Sequence, residues 1–210
     1  MCGSVGGDFH DFIHINPDQI AVVIGDVMGH GVRAALVMAQ IFGFLRLERD
    51  RLPRPIQIIS ALNRMLIGLG ERIDATVTCS LFYGVFDAPS GLAVFVNAGH
   101  PRPYLCDRQA GTANAIGTND VLLGVEEFVP EEMCHTFKAG ERFVLYTDGV
   151  MDAINTAHER FGQHRLEKLI CRHSAVGPDV VADAAVKEVD QFRHGGPRLD
   201  DETIVVLDRV

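Results

Sequence analysis

The chain has 210 residues, 47% of them apolar and 22% charged, with 28 acidic against 19 basic side chains and a formal charge of −9. That mix excludes a disordered protein, and a chain of this length buries roughly 70% of its unfolded surface without needing disulfides. The acidic balance argues against wrapping nucleic acid or an anionic bilayer, and the longest apolar runs, at 20–25 and 34–39, fall far short of the roughly 18 residues that span a membrane.

In chain order, residues 9–15 are β-branched and aromatic, Asn16-Pro17-Asp18-Gln19 gives a turn with Pro at its second position, and 20–24 reads as a buried strand. The first 26 residues therefore predict a hairpin. Centring its turn on Pro17 and Asp18 sets Phe9 opposite Asp26, and a one-residue bulge would bring Asp8 there instead. Gly29-His30-Gly31 breaks the pattern. Two helices follow, at 32–49 and 55–69, with Pro53 and Pro55 as punctuation between them. A strand at 76–86, a turn at 89–91 and a partner strand at 92–96 come next, then strands at 102–106 and 142–146. Residues 162–171 and 178–194 carry helical periodicity, and 203–207 is a last apolar strand. The expected fold class is α+β: an antiparallel β-sandwich with helices outside it. No repeat or linker interrupts the chain, so 1–210 is expected to be a single domain, the C-terminal part of a longer regulatory protein. Five cysteines, Cys2, Cys79, Cys106, Cys134 and Cys171, are odd in number and never spaced C-x-x-C. That usage suits a reducing compartment, so the expected location is the cytoplasm, with most of these thiols acting as small buried hydrophobes.

Aspartates recur at the ends of the apolar strands. Asp8 precedes the first, Asp26 ends the second, Asp148 follows Val144-Leu145-Tyr146-Thr147, and Asp200-Asp201 precede the last. Neighbouring carboxylates raise each other's pKa unless a cation lies between them. Clusters of carboxylates without His or Cys suit hard divalent ions such as Mg²⁺ or Mn²⁺. One Asp beside a Gly at a strand end is usually a turn residue. Four such sites, each tied to an apolar strand, point to a metal-dependent hydrolase.

These segments, in this order, resemble the metal-dependent protein phosphatase (PPM, 2C-type) family, and within it the SpoIIE-like branch of bacterial sporulation and stress-response phosphatases. The resemblance runs through Val5-Gly-Gly-Asp8, Gly25-Asp-Val-Met-Gly-His-Gly31, Asn97-Ala-Gly-His-Pro101, Leu123-Gly-Val125, Leu145-Tyr-Thr-Asp-Gly149 and Asp200-Asp-Glu-Thr203. It implies the sandwich fold and two Mn²⁺ or Mg²⁺ ions. Carried over by position, Asp26 bridges both ions, the Val27 carbonyl adds a backbone ligand, and Asp8, Asp148 and Asp200 complete the carboxylate set. The spacing to Thr203 favours Asp200 over Asp201, which takes a supporting place. The implied activity is hydrolysis of phosphoserine or phosphothreonine by a water activated between two metals, with no phosphoenzyme. Asp26 and His30 are the catalytic candidates. His30 is either the general acid toward the leaving oxygen or a loop histidine bonded to backbone, because the family's acid histidine lies in a shorter loop. His100 reads as a structural loop residue. Asp11 either holds a metal-bound water or is a solvated strand residue.

By the same resemblance, the implied substrate is a phosphorylated anti-sigma-factor antagonist of the STAS type in a partner-switching pathway. Other implied partners are an upstream sensory or receiver domain and a second copy of the chain; nucleic acid and membrane insertion are not expected. Two readings compete. His10-Asp11 suggests a His-Asp phosphohydrolase, but that architecture is all-helical and the dipeptide sits among strand-like residues. The other is a catalytically weak phosphatase fold used as a binding or regulatory module.

Overall fold

The computed structural model describes residues 6–118 and 120–210; Cys2 and Val5, named above, lie outside them. In chain order the elements are β1 (Asp8–His14), β2 (Gln19–Val27), α1 (Val32–Leu47), α2 (Pro55–Ile73), β3 (Cys79–Asp87), β4 (Leu92–Ala98), β5 (Tyr104–Asp107), β6 (Thr112–Ala115), β7 (Glu132–Thr136), β8 (Glu141–Tyr146), α3 (Asp148–Asp152), α4 (Gly162–Arg172), α5 (Pro178–Arg193) and β9 (Ile204–Asp208). The fold is mixed α+β, with two antiparallel sheets and helices. Two compact units divide the chain, one taking residues up to 100 with 118–136, the other 101–117 with 137–210.

The first unit holds the sheet β1-β2-β3-β4-β7. Alternation along the strands sends Phe9, Ile13, Ala21, Val23, Leu81 and Tyr83 into one core with Val37 and Ile41 of α1 and Ile58, Leu62 and Leu66 of α2. Val22, Ile24 and Phe82 point to the opposite face and are also fully buried, so β2 and β3 are nearly continuous apolar runs rather than alternating ones. Pro55 opens α2, where its missing N–H removes nothing, and Asp74 closes it in a left-handed conformation. The Tyr83 hydroxyl donates to the Leu52 carbonyl (2.8 Å), tying β3 to the link between the helices.

The first hairpin differs from the expected register by one residue. The pairs run without a bulge from His14↔Ile20 to Asp8↔Asp26. The loop is centred on Pro17 alone, because the Asn16 side chain accepts the backbone N–H groups of both Asp18 and Gln19 (2.9 Å each). Ile15 N–H then donates to the Gln19 carbonyl (3.0 Å), closing a three-residue loop.

The second unit holds the sheet β6-β5-β8-β9. Tyr104, Val144 and Tyr146 pack with Leu166, Leu169 and Ile170 of α4 and Val181 and Val189 of α5. Arg142 is completely buried on β8 and forms a two-pronged pair with Asp208 of β9 (2.6 and 2.8 Å). Its remaining donors reach the His173 and Val176 carbonyls, so one guanidinium fixes the strand pair to the turn between α4 and α5.

Several boundaries shift from the expected ones. Residues 76–78 precede β3 rather than belonging to it, and α2 runs four residues past 69. β6, β7 and the short α3 were not expected at all. Among the described residues Cys79 and Cys106 are buried, Cys171 is partly buried and Cys134 is exposed, all as free thiols. No described helix is long and apolar enough to cross a membrane.

Candidate functional site

In the first unit, Asp8 and Asp26 stand directly opposite each other across β1 and β2. Val27 N–H donates to the Gly7 carbonyl (3.0 Å), which makes the next position, Asp8↔Asp26, a non-hydrogen-bonded pair, where side chains of one face approach most closely. Gly7 is required for this. A Cβ there would collide with the Val27 carbonyl oxygen and Asp26 Oδ1, and would lie 3.1 Å from the Gly29 carbonyl. Carboxylate and carbonyl oxygens thus gather around a residue that has no side chain to exclude them. Carboxylate and carbonyl oxygens are hard donors, which is the donor chemistry of Mg²⁺ or Mn²⁺.

The second unit carries the other two acids. β8 ends at Tyr146, Thr147 stays extended, and Asp148 opens α3, so the Asp read as a strand end begins a short helix. Thr147 N–H donates to the Thr203 carbonyl (3.0 Å), and Thr203 N–H donates to Thr147 Oγ1 (2.9 Å). That reciprocal clamp holds the segment 200–203 beside the start of α3. A Cβ on Gly149 would overlap the Asp201 carbonyl oxygen and stand 3.4 Å from Asp200 Cβ. The Asp148 carboxyl is pushed above its ordinary pKa by partial burial, then by the charges of Asp200 and Asp152. Asp200 Oδ1 accepts the Asp201 N–H (2.9 Å). A cleft of about 230 Å³ opens next to Asp200, with Gly149, Arg160 and Arg193 in its wall.

Within each unit the acids come in twos. Among the described residues no three of His, Cys, Asp and Glu come together as a set able to hold an ion by themselves; carbonyl oxygens such as those of Val27 and Gly29 are outside that set. His30 is exposed between Gly29 and Gly31, in the segment from β2 to α1. Asp11 lies on the other face of β1 from Asp8, where it pairs with Arg46 of α1 (2.7 Å), so neither the water-holding nor the solvated reading describes it. His10 and Asp11 are strand neighbours pointing to opposite faces, not a helical metal motif.

Sequence reasoning missed three features, two in the first unit and one in the second. Ser80 is the cross-strand partner of Asp26 in β3. His100 is completely buried and its Nδ1 lies 2.9 Å from Ser80 Oγ. The Thr147–Thr203 clamp had a visible trace only in the spacing of Thr203 from Asp200.

The sequence matches the family described as Stage II sporulation protein E (SpoIIE) over residues 16–210. The chain belongs to the SpoIIE family. Asp8 lies ahead of the matched segment, and Asp26, Asp148 and Asp200 lie within it. The phosphoserine phosphatase RsbU of Bacillus subtilis (strain 168) is 25% identical over 214 residues, covering 98% of this chain and 60% of RsbU. The curated relatives are longer: the chain spans 36% of one, 49% of another and 60% of a third. The SiaA-PP2C domain of Pseudomonas aeruginosa superposes with a TM-score of 0.81 at 21% identity, over 97% of this chain and 81% of that one. RsbX, solved in complex with magnesium, superposes with a TM-score of 0.66 at 15% identity, over 96% of this chain and 86% of that one. At such identities the structural likeness speaks for the SpoIIE-family fold alone.

Proposed function

We propose that this SpoIIE-family chain is a metal-dependent protein serine/threonine phosphatase, with Asp8, Asp26, Asp148, Asp200 and the Val27 carbonyl as ligands of two divalent ions, Mn²⁺ or Mg²⁺. The observation that carries the reading is Asp8 set directly against Asp26 beside the Val27 carbonyl. Two carboxylates at the closest cross-strand position destabilise a sheet unless a cation joins them. The raised Asp148 carboxyl beside Asp200 supports the same reading in the other unit. Magnesium in RsbX and the name of RsbU support it from outside the chain.

Divalent ions there would neutralise phosphoryl charge and lower the pKa of a water for attack on phosphorus. The chain's own groups do the rest. Asp26, at the end of β2, would be the ligand shared by both ions, and Asp8 is held opposite it by the ladder of β1. The Thr147–Thr203 clamp keeps Asp200 in register with Asp148. Asp201 supports Asp200 through its backbone N–H. His30, exposed after Val27, is placed in the role of proton donor to the leaving serine or threonine oxygen, for which an imidazole suits neutral pH.

The substrate in this reading is a phosphorylated protein of the anti-sigma-factor-antagonist class, the kind of target that partner-switching signalling offers. An upstream sensory or receiver domain and a second copy of the chain belong to the same reading as regulatory partners, and the cytoplasm as the compartment. Phosphate release from p-nitrophenyl phosphate and from a phosphoserine-bearing STAS protein tests it, measured with Mn²⁺ and after exhaustive metal removal. Turnover requires the added ion; undiminished turnover in excess chelator refutes the mechanism, and no turnover with any ion favours a binding module.

A further inference from the structure

We propose that Ser80 and His100 form a positioning pair for Asp26, with His100 turning the Ser80 hydroxyl so that its proton faces the Asp26 carboxylate. The inference rests on the reading of Asp26 as a metal ligand and names a device that reading does not include.

The strand register brings the groups together. Asp8↔Asp26 and Asp26↔Ser80 are successive cross-strand pairs, so the three side chains form one row on one face of the sheet. Met28 N–H donates to the Thr78 carbonyl (3.0 Å), and two residues along, Asp26↔Ser80 is likewise a hydrogen-bonded pair, with Cα atoms about 5.5 Å apart. β4 pairs with β3 as far as Leu81↔Ala98, which carries the chain through Gly99 to His100 beside the end of that row. His100 is held there firmly: its backbone N–H donates to Asn97 Oδ1 (2.9 Å), and the Asn97 carbonyl accepts the Asp120 N–H (2.9 Å). Its ring is completely buried and its Nδ1 meets Ser80 Oγ at 2.9 Å.

A serine hydroxyl has one proton and two lone pairs. With the proton on His100 Nδ1, the imidazole donates to Ser80 Oγ and leaves the serine proton free for an acceptor on the Asp26 side. With the proton on Nε2 instead, Ser80 would spend its proton on His100 and show only lone pairs to a carboxylate. The pair therefore requires the Nδ1–H tautomer. Such outer partners orient ligating carboxylates, and their loss typically weakens metal binding tenfold to a hundredfold.

The test is Mn²⁺ titration by calorimetry, together with the metal-free melting temperature, on the 210-residue chain and its variants. Ser80→Ala raises the Mn²⁺ Kd about tenfold and lowers the metal-free melting temperature by a few degrees, because the buried His100 Nδ1–H loses its acceptor. Ser80→Thr, which keeps the hydroxyl on a residue suited to a strand, retains the parent's affinity. The double variant Ser80→Ala/His100→Asn binds as Ser80→Ala does, because His100 acts only through the hydroxyl. If Ser80→Ala binds Mn²⁺ like the parent while Asp26→Asn loses the ion, the positioning pair is refuted and the ligand reading stands. If Ser80→Thr loses as much affinity as Ser80→Ala, packing rather than the hydroxyl is responsible and the pair is again refuted. If Asp26→Asn binds like the parent, the ligand reading itself fails and takes this inference with it.

Discussion

Replacing Asp8 by Asn separates what the opposed acids cost the metal-free protein from what they contribute when an ion is bound. Asp8 faces Asp26 at a non-hydrogen-bonded position of the β1–β2 ladder, where Cβ atoms are about 4.5–5.5 Å apart. Two unit charges at about 5 Å repel by roughly 0.8 kcal/mol in water and roughly 3 kcal/mol at an effective dielectric of 20. Both residues retain solvent contact, so the lower part of that range applies, about 1 kcal/mol. Asn keeps the shape and removes the charge. In chelator, Asp8→Asn therefore melts above the parent, by roughly 2–4 °C for a chain of this size. Added Mn²⁺ inverts the order. At a free ion concentration of 100 times the parent's Kd, binding stabilises the parent by about 2.7 kcal/mol. A tenfold to hundredfold weaker variant forgoes about 1.3–2.3 kcal/mol of that gain, more than the repulsion it has lost. Differential scanning fluorimetry in EDTA and across an Mn²⁺ series reads both arms. A variant melting below the parent in EDTA refutes the repulsion, and equal stabilisation of both proteins by Mn²⁺ refutes Asp8 as a ligand.

Asp26→Ala lowers turnover at least several hundredfold while circular dichroism stays native, because a bridging ligand serves both ions; near-parent rates would remove the bridging assignment. Asp200→Asn weakens Mn²⁺ binding and turnover severely, whereas Asp201→Asn lowers them about tenfold or less. Metal titration ranks the two, and the reverse order would mean that Asp201 is the ligand. Gly149→Ala drives a Cβ into the Asp201 carbonyl oxygen, which displaces the 200–203 segment. The variant loses about 1–3 kcal/mol of stability in urea unfolding together with Mn²⁺ affinity, and a variant indistinguishable from the parent on both counts would show that the close approach does not matter.

The parts of this fold legible in the sequence were those with contrast. β2 and β3 are apolar on both faces and α2 repeats its apolar residues at helical spacing, so their existence followed from composition and period. β6 and β7 carry few apolar residues and sit at sheet edges, where burial leaves little pattern to read. The hairpin register turned on one side chain. Asn-Pro-Asp-Gln is compatible with a loop centred on Pro17 or between Pro17 and Asp18, and Asn16 decides for Pro17 by accepting two N–H groups at once. That single step is the difference between Asp8 beside Asp26 and Asp8 opposite it. The pairing of His100 with Ser80 was unreadable for another reason. The two residues are twenty apart in the chain and meet only through the pairing of β3 with β4.

The acids fall into two classes that the sequence alone does not distinguish. Asp11, Asp152, Asp208 and Glu202 each meet an arginine, respectively Arg46, Arg160, Arg142 and Arg193. Among the described residues, the side-chain charges acting on Asp148 are those of Asp200 and Asp152, both negative. In each unit separately the backbone is shaped to let oxygens come close: Gly7 admits those around Asp26 in the first, and Gly149 admits the segment that carries Asp200 in the second. A side chain at either position would relieve the crowding by pushing the strands or loop apart. Like charges brought together in this way repel, and that repulsion works against folding. A cation reverses the sign of that balance, which is why the two glycines belong to the functional argument as much as the four aspartates do.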